Sequence, residues 1–219
     1  MEKNNKCWYK EVCDQECNST CIRFLEMSYL VDHSGIPLVN QYPVTLNPDD
    51  ADYEAFCQLA DIKDNIYDFV KTGQNLFITS KNTGNGKTSW SIKLMLKYFD
   101  TVWAGNGFVT RGLFLHTPSI LEQLKNFKDP LSSEYRQLIQ ETDLVIWDDI
   151  ASTEMSNYDL TQLLIYIDAR LLSGKSNIYT GNIDTVENLQ KLMGVRLASR
   201  IYNNSRVVIF KGKDRRTNL

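Results

Sequence analysis

Residues 75–90 read NLFITSKNTGNGKTSW, and this stretch decides the fold. NLFIT (75–79) is a short apolar run bounded by polar residues, the pattern of a buried strand. A glycine-rich turn follows. The spacing then predicts a helix from about Thr88 to Tyr98. Strand, glycine-rich turn and helix in that order form the context of a phosphate-binding loop. Backbone N–H groups of Thr83, Gly84, Asn85 and Gly86 would wrap the phosphates, helped by the positive end of the helix. Lys87 is placed to reach the β- and γ-phosphates, and Thr88 to offer its hydroxyl to Mg2+. The usual pattern is G-x4-G-K-[ST], and here Lys81 stands where the first glycine belongs.

Downstream, strands and helices keep alternating. RGLFLHT (111–117) reads as a strand, and Pro118 after a Thr117 cap opens the helix SILEQLKNF. DLVIWDD (143–149) is a buried strand ending in two carboxylates. In YDLTQLLIYIDARLL, apolar residues at 160, 163, 164, 167 and 171 have helical spacing. SNIYTGN (176–182) is a strand, VENLQKLMGVRLASRIY a helix, and RVVIF (206–210) the last strand. Strands joined by crossover helices predict a five-stranded parallel sheet with helices on both faces. Upstream, residues 51–73 read as one or two short helices ending at Gly73.

Asp148 at a strand end would hold Mg2+ through water, and Asp149 would orient and deprotonate the attacking water. Asp149 is one methylene shorter than the Glu more often found there, which predicts slow hydrolysis. Asn182 ends its own strand, where an amide can position water near the γ-phosphate. Arg196 and Arg200 are four apart on one helix face, suited to meet a neighbouring subunit's phosphate.

The remainder of the chain is differently built. The 219 residues are 42% hydrophobic and 23% charged, ordinary globular usage. No apolar stretch approaches the ~18–20 residues of a membrane span, and MEKNNKCWYKEVCDQEC has no secretory apolar core. A cytoplasmic protein with no membrane partner is expected. Net charge is −3, but residues 1–74 carry 6 basic and 13 acidic side chains, and residues 75–219 carry 18 and 14. The basic part could meet nucleic acid. Arg206, Lys211, Lys213, Arg215 and Arg216, with Lys125 and Lys128, are candidates to track a phosphate backbone.

Four of five cysteines, Cys7, Cys13, Cys17 and Cys21, crowd one window. Without a secretory signal, that reads as a metal site before disulfides. On one unbroken helix Cys13 and Cys21 would lie about 12 Å apart, too far for zinc bonds of ~2.3 Å. A turn at Asn18-Ser19-Thr20 is therefore expected, with a helix from near Cys21. Four thiolates around zinc come first, with an iron–sulfur cluster as the alternative. Cys57 is expected to be a buried small side chain. HSGIPLVNQYPVTLNPDD (33–50) reads as a linker. The expected organisation is a Cys-rich module (1–32), a linker (33–50) and a nucleotide-binding domain (51–219).

GNGKT, a strand ending DD, a strand ending TGN and then GVRLASRI occur in this order. That order resembles the AAA+ ATPases of the DnaC/DnaI helicase-loader group, especially the short DnaC-like proteins of phages and prophages. The resemblance covers about residues 45–219, and the cysteine window is similar to the zinc-bearing N-terminal domain of DnaI-type loaders. It implies that Lys87 and Thr88 are the Walker A pair, Asp148 and Asp149 the Walker B pair, and Asn182 sensor 1. Arg200 would be the arginine finger with Arg196 second, and Arg170 sits where such loaders often carry an arginine. It implies binding of ATP or ADP, of single-stranded DNA and of a hexameric DnaB-type replicative helicase, which the loader places on DNA in an ATP-linked step. Residues 1–32 would contact the helicase, and the subunits would associate with each other or on the helicase. The chain departs from larger AAA+ proteins at Lys81 and in ending near the last strand without a helical lid, which predicts weak isolated activity. The same fold also serves IstB-type transposition ATPases. A nucleotide-binding protein that sequesters the helicase without turnover is the reading from another class.

Overall fold

The structure, a computed structural model, describes residues 7–14, 18, 20–41, 46–151 and 154–215. In chain order come α1 (Ile22–Asp32), a short 3-10 turn (Leu38–Asn40), α2 (Tyr53–Asp64), α3 (Ile66–Lys71), β1 (Asn75–Ser80) and α4 (Lys87–Val102). Then follow β2 (Gly112–His116), α5 (Thr117–Leu124), α6 (Pro130–Glu141), β3 (Leu144–Asp148), α7 (Asn157–Leu172), β4 (Ser176–Gly181), α8 (Val186–Tyr202) and β5 (Ser205–Phe210). The five strands form one parallel sheet in the order β2-β3-β4-β1-β5.

Period-two alternation divides the core between the two faces of the sheet. Leu76, Ile78, Phe114, Leu144, Ile146 and Ile178 point to the face covered by α1 to α4. Phe77, Leu113, Leu115, Val145, Trp147 and Tyr179 point to the face covered by α5 to α8. Both faces are buried, which is why these strands read as apolar runs.

The N-terminal segment packs on the first face. Tyr9, Met27, Leu30 and Val31 join the cluster of Leu94, Met95 and Phe99 from α4. Tyr9 donates its hydroxyl to Asp100 at 2.9 Å, and Arg23 meets the same carboxylate at 3.2 Å while lying 3.4 Å from the Tyr9 ring centre. Burial alone would raise the Asp100 pKa, but hydrogen bonds from Tyr9, Lys97 and Arg23 hold it below the usual carboxylate value. The chain after α1 then runs along the edge strand, where Ser34 accepts a 2.6 Å bond from the Phe114 amide. Ser34 and Ile36, at the start of the expected linker, are buried.

Some expectations change. Cys57 is exposed. The buried stripe of α2 is Ala55, Phe56, Leu59 and Ile62, and Cys57 falls on the opposite side of the helix. Cys21 occupies the N-cap of α1, while Cys7 and Cys13 flank the Tyr9 turn, half-buried against the core. Among the described residues no three His, Cys, Asp or Glu side chains gather where they could hold a metal ion. Cys17 lies outside the described residues, so the zinc or iron–sulfur reading of Cys7, Cys13, Cys17 and Cys21 finds no support in the remaining three. Helix α5 begins one residue early, with the expected cap Thr117 as its first residue and His116 in the cap position. Helix α6 is an addition; Asp129 caps it by accepting from the Leu131 amide, and Pro130 is its first residue. Helix α8 is broken at Gly194, whose backbone (φ 76, ψ 154) leaves the helical region. Among the described residues no helix is long and apolar enough to cross a membrane.

Candidate nucleotide site

The C-terminal ends of β1, β2, β3 and β4 border a cleft of about 420 Å3. Thr83, Gly84, Gly86, Lys87 and Thr88 form one wall, and Asp148, Asp149 and Asn182 face them. A parallel sheet collects its strand ends this way, so residues far apart in sequence converge at one edge.

The loop between β1 and α4 is shaped by its glycines. Gly84 and Gly86 have φ of 69° and 96°, a region that side chains with a Cβ seldom enter. Gly86 is the cap residue of α4, so the helix opens toward the cleft. The Lys87 ammonium bonds Ser80 Oγ at 2.7 Å, and both the Asn82 carbonyl and Asn85 Oδ1 at 3.0 Å. Ser80 in turn donates to the Asn82 carbonyl. These bonds close the first turn of the loop, where Lys81 replaces the usual glycine. Asn85 is fully buried, and its Nδ2 finds no hydrogen-bond partner among the described residues. Loop amides, a helix N-terminus and an ammonium suit a polyphosphate.

On the other wall, Asp148 Oδ1 accepts from Thr88 Oγ1 at 2.8 Å and from Thr180 Oγ1 at 2.7 Å. Burial raises the Asp148 pKa and the two hydroxyls oppose it, with the Asp149 charge raising it further. A hydroxyl and a carboxylate held this close are hard oxygen donors of the kind Mg2+ takes. Asp149 turns away from the strand at φ 58°, its amide bonded to Thr180 Oγ1 at 2.9 Å. The turn brings Asn182 Nδ2 to 3.5 Å from Asp149 Oδ1.

Two residues of this cleft were not singled out from the sequence. Thr180 bridges Asp148 and Asp149, and His116 lines the cleft opposite Asp148 in the β2–β3 register. His116 Nδ1 lies 2.7 Å from Ser119 Oγ, and Nε2 lies 3.9 Å from Asp149 Oδ2.

The arginines stand apart. Arg196 and Arg200 lie beyond the Gly194 break, outside the cleft lining, and both pair with Asp168 of α7, at 3.5 Å and 2.6 Å. Arg170 is buried, and its role is architectural. Its guanidinium donates to Asn177 Oδ1 and to the carbonyls of Ile139, Thr142, Asp143 and Ser176.

The basic tail is also largely engaged within the chain. Arg206 pairs with Asp61 at 3.1 Å. Arg215 pairs with Asp52 at 3.1 Å and lies 5.0 Å from the Phe56 ring centre. Asp52, fully buried, also accepts from the amides of Lys211 and Gly212. Residues 211–215 thereby form a strap over the phosphate loop. The Arg215 amide donates to the Gly84 carbonyl at 3.0 Å, Asn82 donates to the Gly212 carbonyl at 3.0 Å, and Thr83 donates to Asp214 at 3.4 Å. Arg216 lies outside the described residues.

No family model matches the chain, and no curated protein matches it by sequence. Solved structures do match. The DnaC helicase loader superposes with a TM-score of 0.64 at 18% identity, over 75% of this chain and 92% of that one. DnaI gives 0.60 at 20% identity, over 78% and 87%. The replication initiator DnaA, solved with AMPPCP and single-stranded DNA, gives 0.57 at 17% identity, over 78% and 52%. The chain therefore shares the fold of DnaC, DnaI and DnaA, a five-stranded parallel sheet with helices on both faces and a glycine-rich loop after β1.

Proposed function

We propose that this protein is an ATP-hydrolysing loader of a hexameric replicative helicase, acting with single-stranded DNA. The observation that carries this reading is the convergence of Lys87, Thr88, Asp148, Asp149 and Asn182 on one cleft, in a fold shared with the two helicase loaders. Lys87 and the loop amides bind the polyphosphate of ATP. Thr88 and Asp148 would hold Mg2+, which would supply neutralisation of phosphate charge. Asp149 accepts the proton of the attacking water, and Asn182 orients Asp149 or that water. A metal at the cysteine window is not part of this reading.

Native mass spectrometry with a DnaB-type hexamer, ATP and single-stranded DNA tests the partner. Several copies of the chain per hexamer are expected. Absence of any complex would sink the loader reading and favour the transposition-type ATPase.

Two residues give sharper tests. Arg200 is exposed beside Arg196 and outside its own cleft, so it acts on a neighbour's ATP. Arg200→Ala is expected to lower assembly-stimulated turnover on the order of a thousandfold while leaving ATP binding intact. Mixing it with Lys87→Ala chains should restore part of the turnover, because each supplies what the other lacks. His116 positions Asp149 from beside it. His116→Ala should lower kcat by about tenfold, less than the roughly 10²–10⁴-fold of a group that itself transfers the proton, with the affinity for ATP unchanged. A fall in ATP affinity instead would assign His116 to binding.

A further inference from the structure

A second cleft, about 240 Å3, lies at the opposite end of the sheet, where β2, β3 and β4 begin. Tyr67 and Lys71 of α3, Tyr98 of α4, and Arg111, Asp143 and Lys175 line it. Three cations thus face one carboxylate. Asp143 is already committed to Arg111 Nε at 2.9 Å, Lys175 Nζ at 3.0 Å and the Tyr98 hydroxyl at 2.9 Å. Burial alone would raise its pKa, but the bonds from Lys175 and Tyr98 and the Arg111 charge hold it below the usual carboxylate value. Lys71 is exposed and makes no hydrogen bond or ion pair among the described residues.

A fourth cation lies beneath. Arg170 is 1% exposed, and its Nη2 is 3.4 Å from the Asp143 carbonyl oxygen. All five of its oxygen partners are neutral carbonyls or an amide. The buried guanidinium is screened weakly and acts through space on the Asp143 carboxylate, adding to the positive charge around it. Three cations line the cleft and a fourth, Arg170, acts on its one carboxylate, which is already fully engaged.

We propose that this cleft binds a phosphate group at a site separate from the ATP cleft. The guanidinium of Arg111 and the ammonium groups of Lys71 and Lys175 are the donors a phosphate takes. By volume the cleft equals about eight waters, room for a phosphate that keeps part of its hydration. Tyr67, 47% exposed at the rim, offers a ring on which a base can stack when the phosphate belongs to a single strand. The phosphate is carried either by a strand or by a free inorganic anion.

The test uses the full chain with Lys87→Ala, which removes the main phosphate ligand of the other cleft. Pyrophosphate binding is followed by titration calorimetry, and oligodeoxythymidylate binding by fluorescence anisotropy. Pyrophosphate should still bind to Lys87→Ala. Adding Lys71→Glu, on an exposed side chain whose replacement leaves the fold intact, should weaken it by about tenfold or more, and Arg111→Gln should weaken it likewise. If oligodeoxythymidylate weakens in parallel and Tyr67→Ala weakens it further, the phosphate belongs to a strand. If only pyrophosphate responds, the ligand is a free phosphate. Loss of pyrophosphate binding in Lys87→Ala alone, or binding unmoved by both Lys71→Glu and Arg111→Gln, would overturn the proposal.

Discussion

Replacing Lys87 with alanine is expected to weaken ATP binding severely and to remove turnover with it. Lys87 is 7% exposed, and its ammonium bonds three oxygens of the loop and the end of β1. Truncating one partner of a buried charge contact costs about 2–5 kcal/mol, which corresponds to roughly 30- to 4,000-fold in affinity. The variant also strips the Ser80 hydroxyl, the Asn82 carbonyl and the Asn85 amide oxygen of a donor. Thermal unfolding without nucleotide should therefore be recorded alongside ATP titration. A large loss of affinity with a small shift in Tm is the expected pattern. Retained ATP affinity in a folded Lys87→Ala chain would show that the cleft does not hold the polyphosphate as proposed.

The largest effect on stability is expected at Arg170. Its guanidinium ties α7 to the ends of α6, β3 and β4 through one amide and four carbonyl oxygens. Burial pulls its pKa down to about 10, which leaves it charged at neutral pH. Arg170→Ala opens a cavity and leaves buried acceptors unpaired, at a cost of about 3–5 kcal/mol. Total stability is roughly 5–15 kcal/mol, so Tm should fall by roughly 10–15 °C for a chain of this length. Arg170→Lys should recover only part of this, because a single ammonium cannot span five acceptors on three elements. Denaturant and thermal unfolding would measure both variants. A shift in Tm of a degree or less for Arg170→Ala would refute the clamp.

The sheet was legible because parallel strands buried on both faces must be short apolar runs. Leu144–Asp148 and Ser176–Gly181 stand out between polar turns for that reason. The loop and the two carboxylates were legible because their chemistry is local in sequence. Helix α6 was missed although Asp129-Pro130 is a cap followed by a first-turn proline. Only Ser132 and Ile139 are buried in it, so its apolar stripe is thin. Arg170 could not be read correctly, since it shares the buried face of Leu163 and Ile167 while looking like a charged surface residue. His116 and Thr180 gain their roles from strand register, which brings them beside Asp148 from distant segments. The tail was read as a basic surface, yet Arg206 and Arg215 are matched by Asp61 and Asp52 from α2 and its approach.

The strap of residues 211–215 makes the phosphate loop and the segment after β5 a single mechanical unit. A Cβ added to Gly84 would come within 1.8 Å of Asp214 Oδ1, and the same glycine's carbonyl holds the Arg215 amide. Neither can shift far without displacing the other, and Asp52 relays that displacement to the start of α2. Coupling free energies are reciprocal. An antibody that binds residues 211–215 is therefore expected to change nucleotide affinity by the same factor by which nucleotide changes the affinity of the antibody.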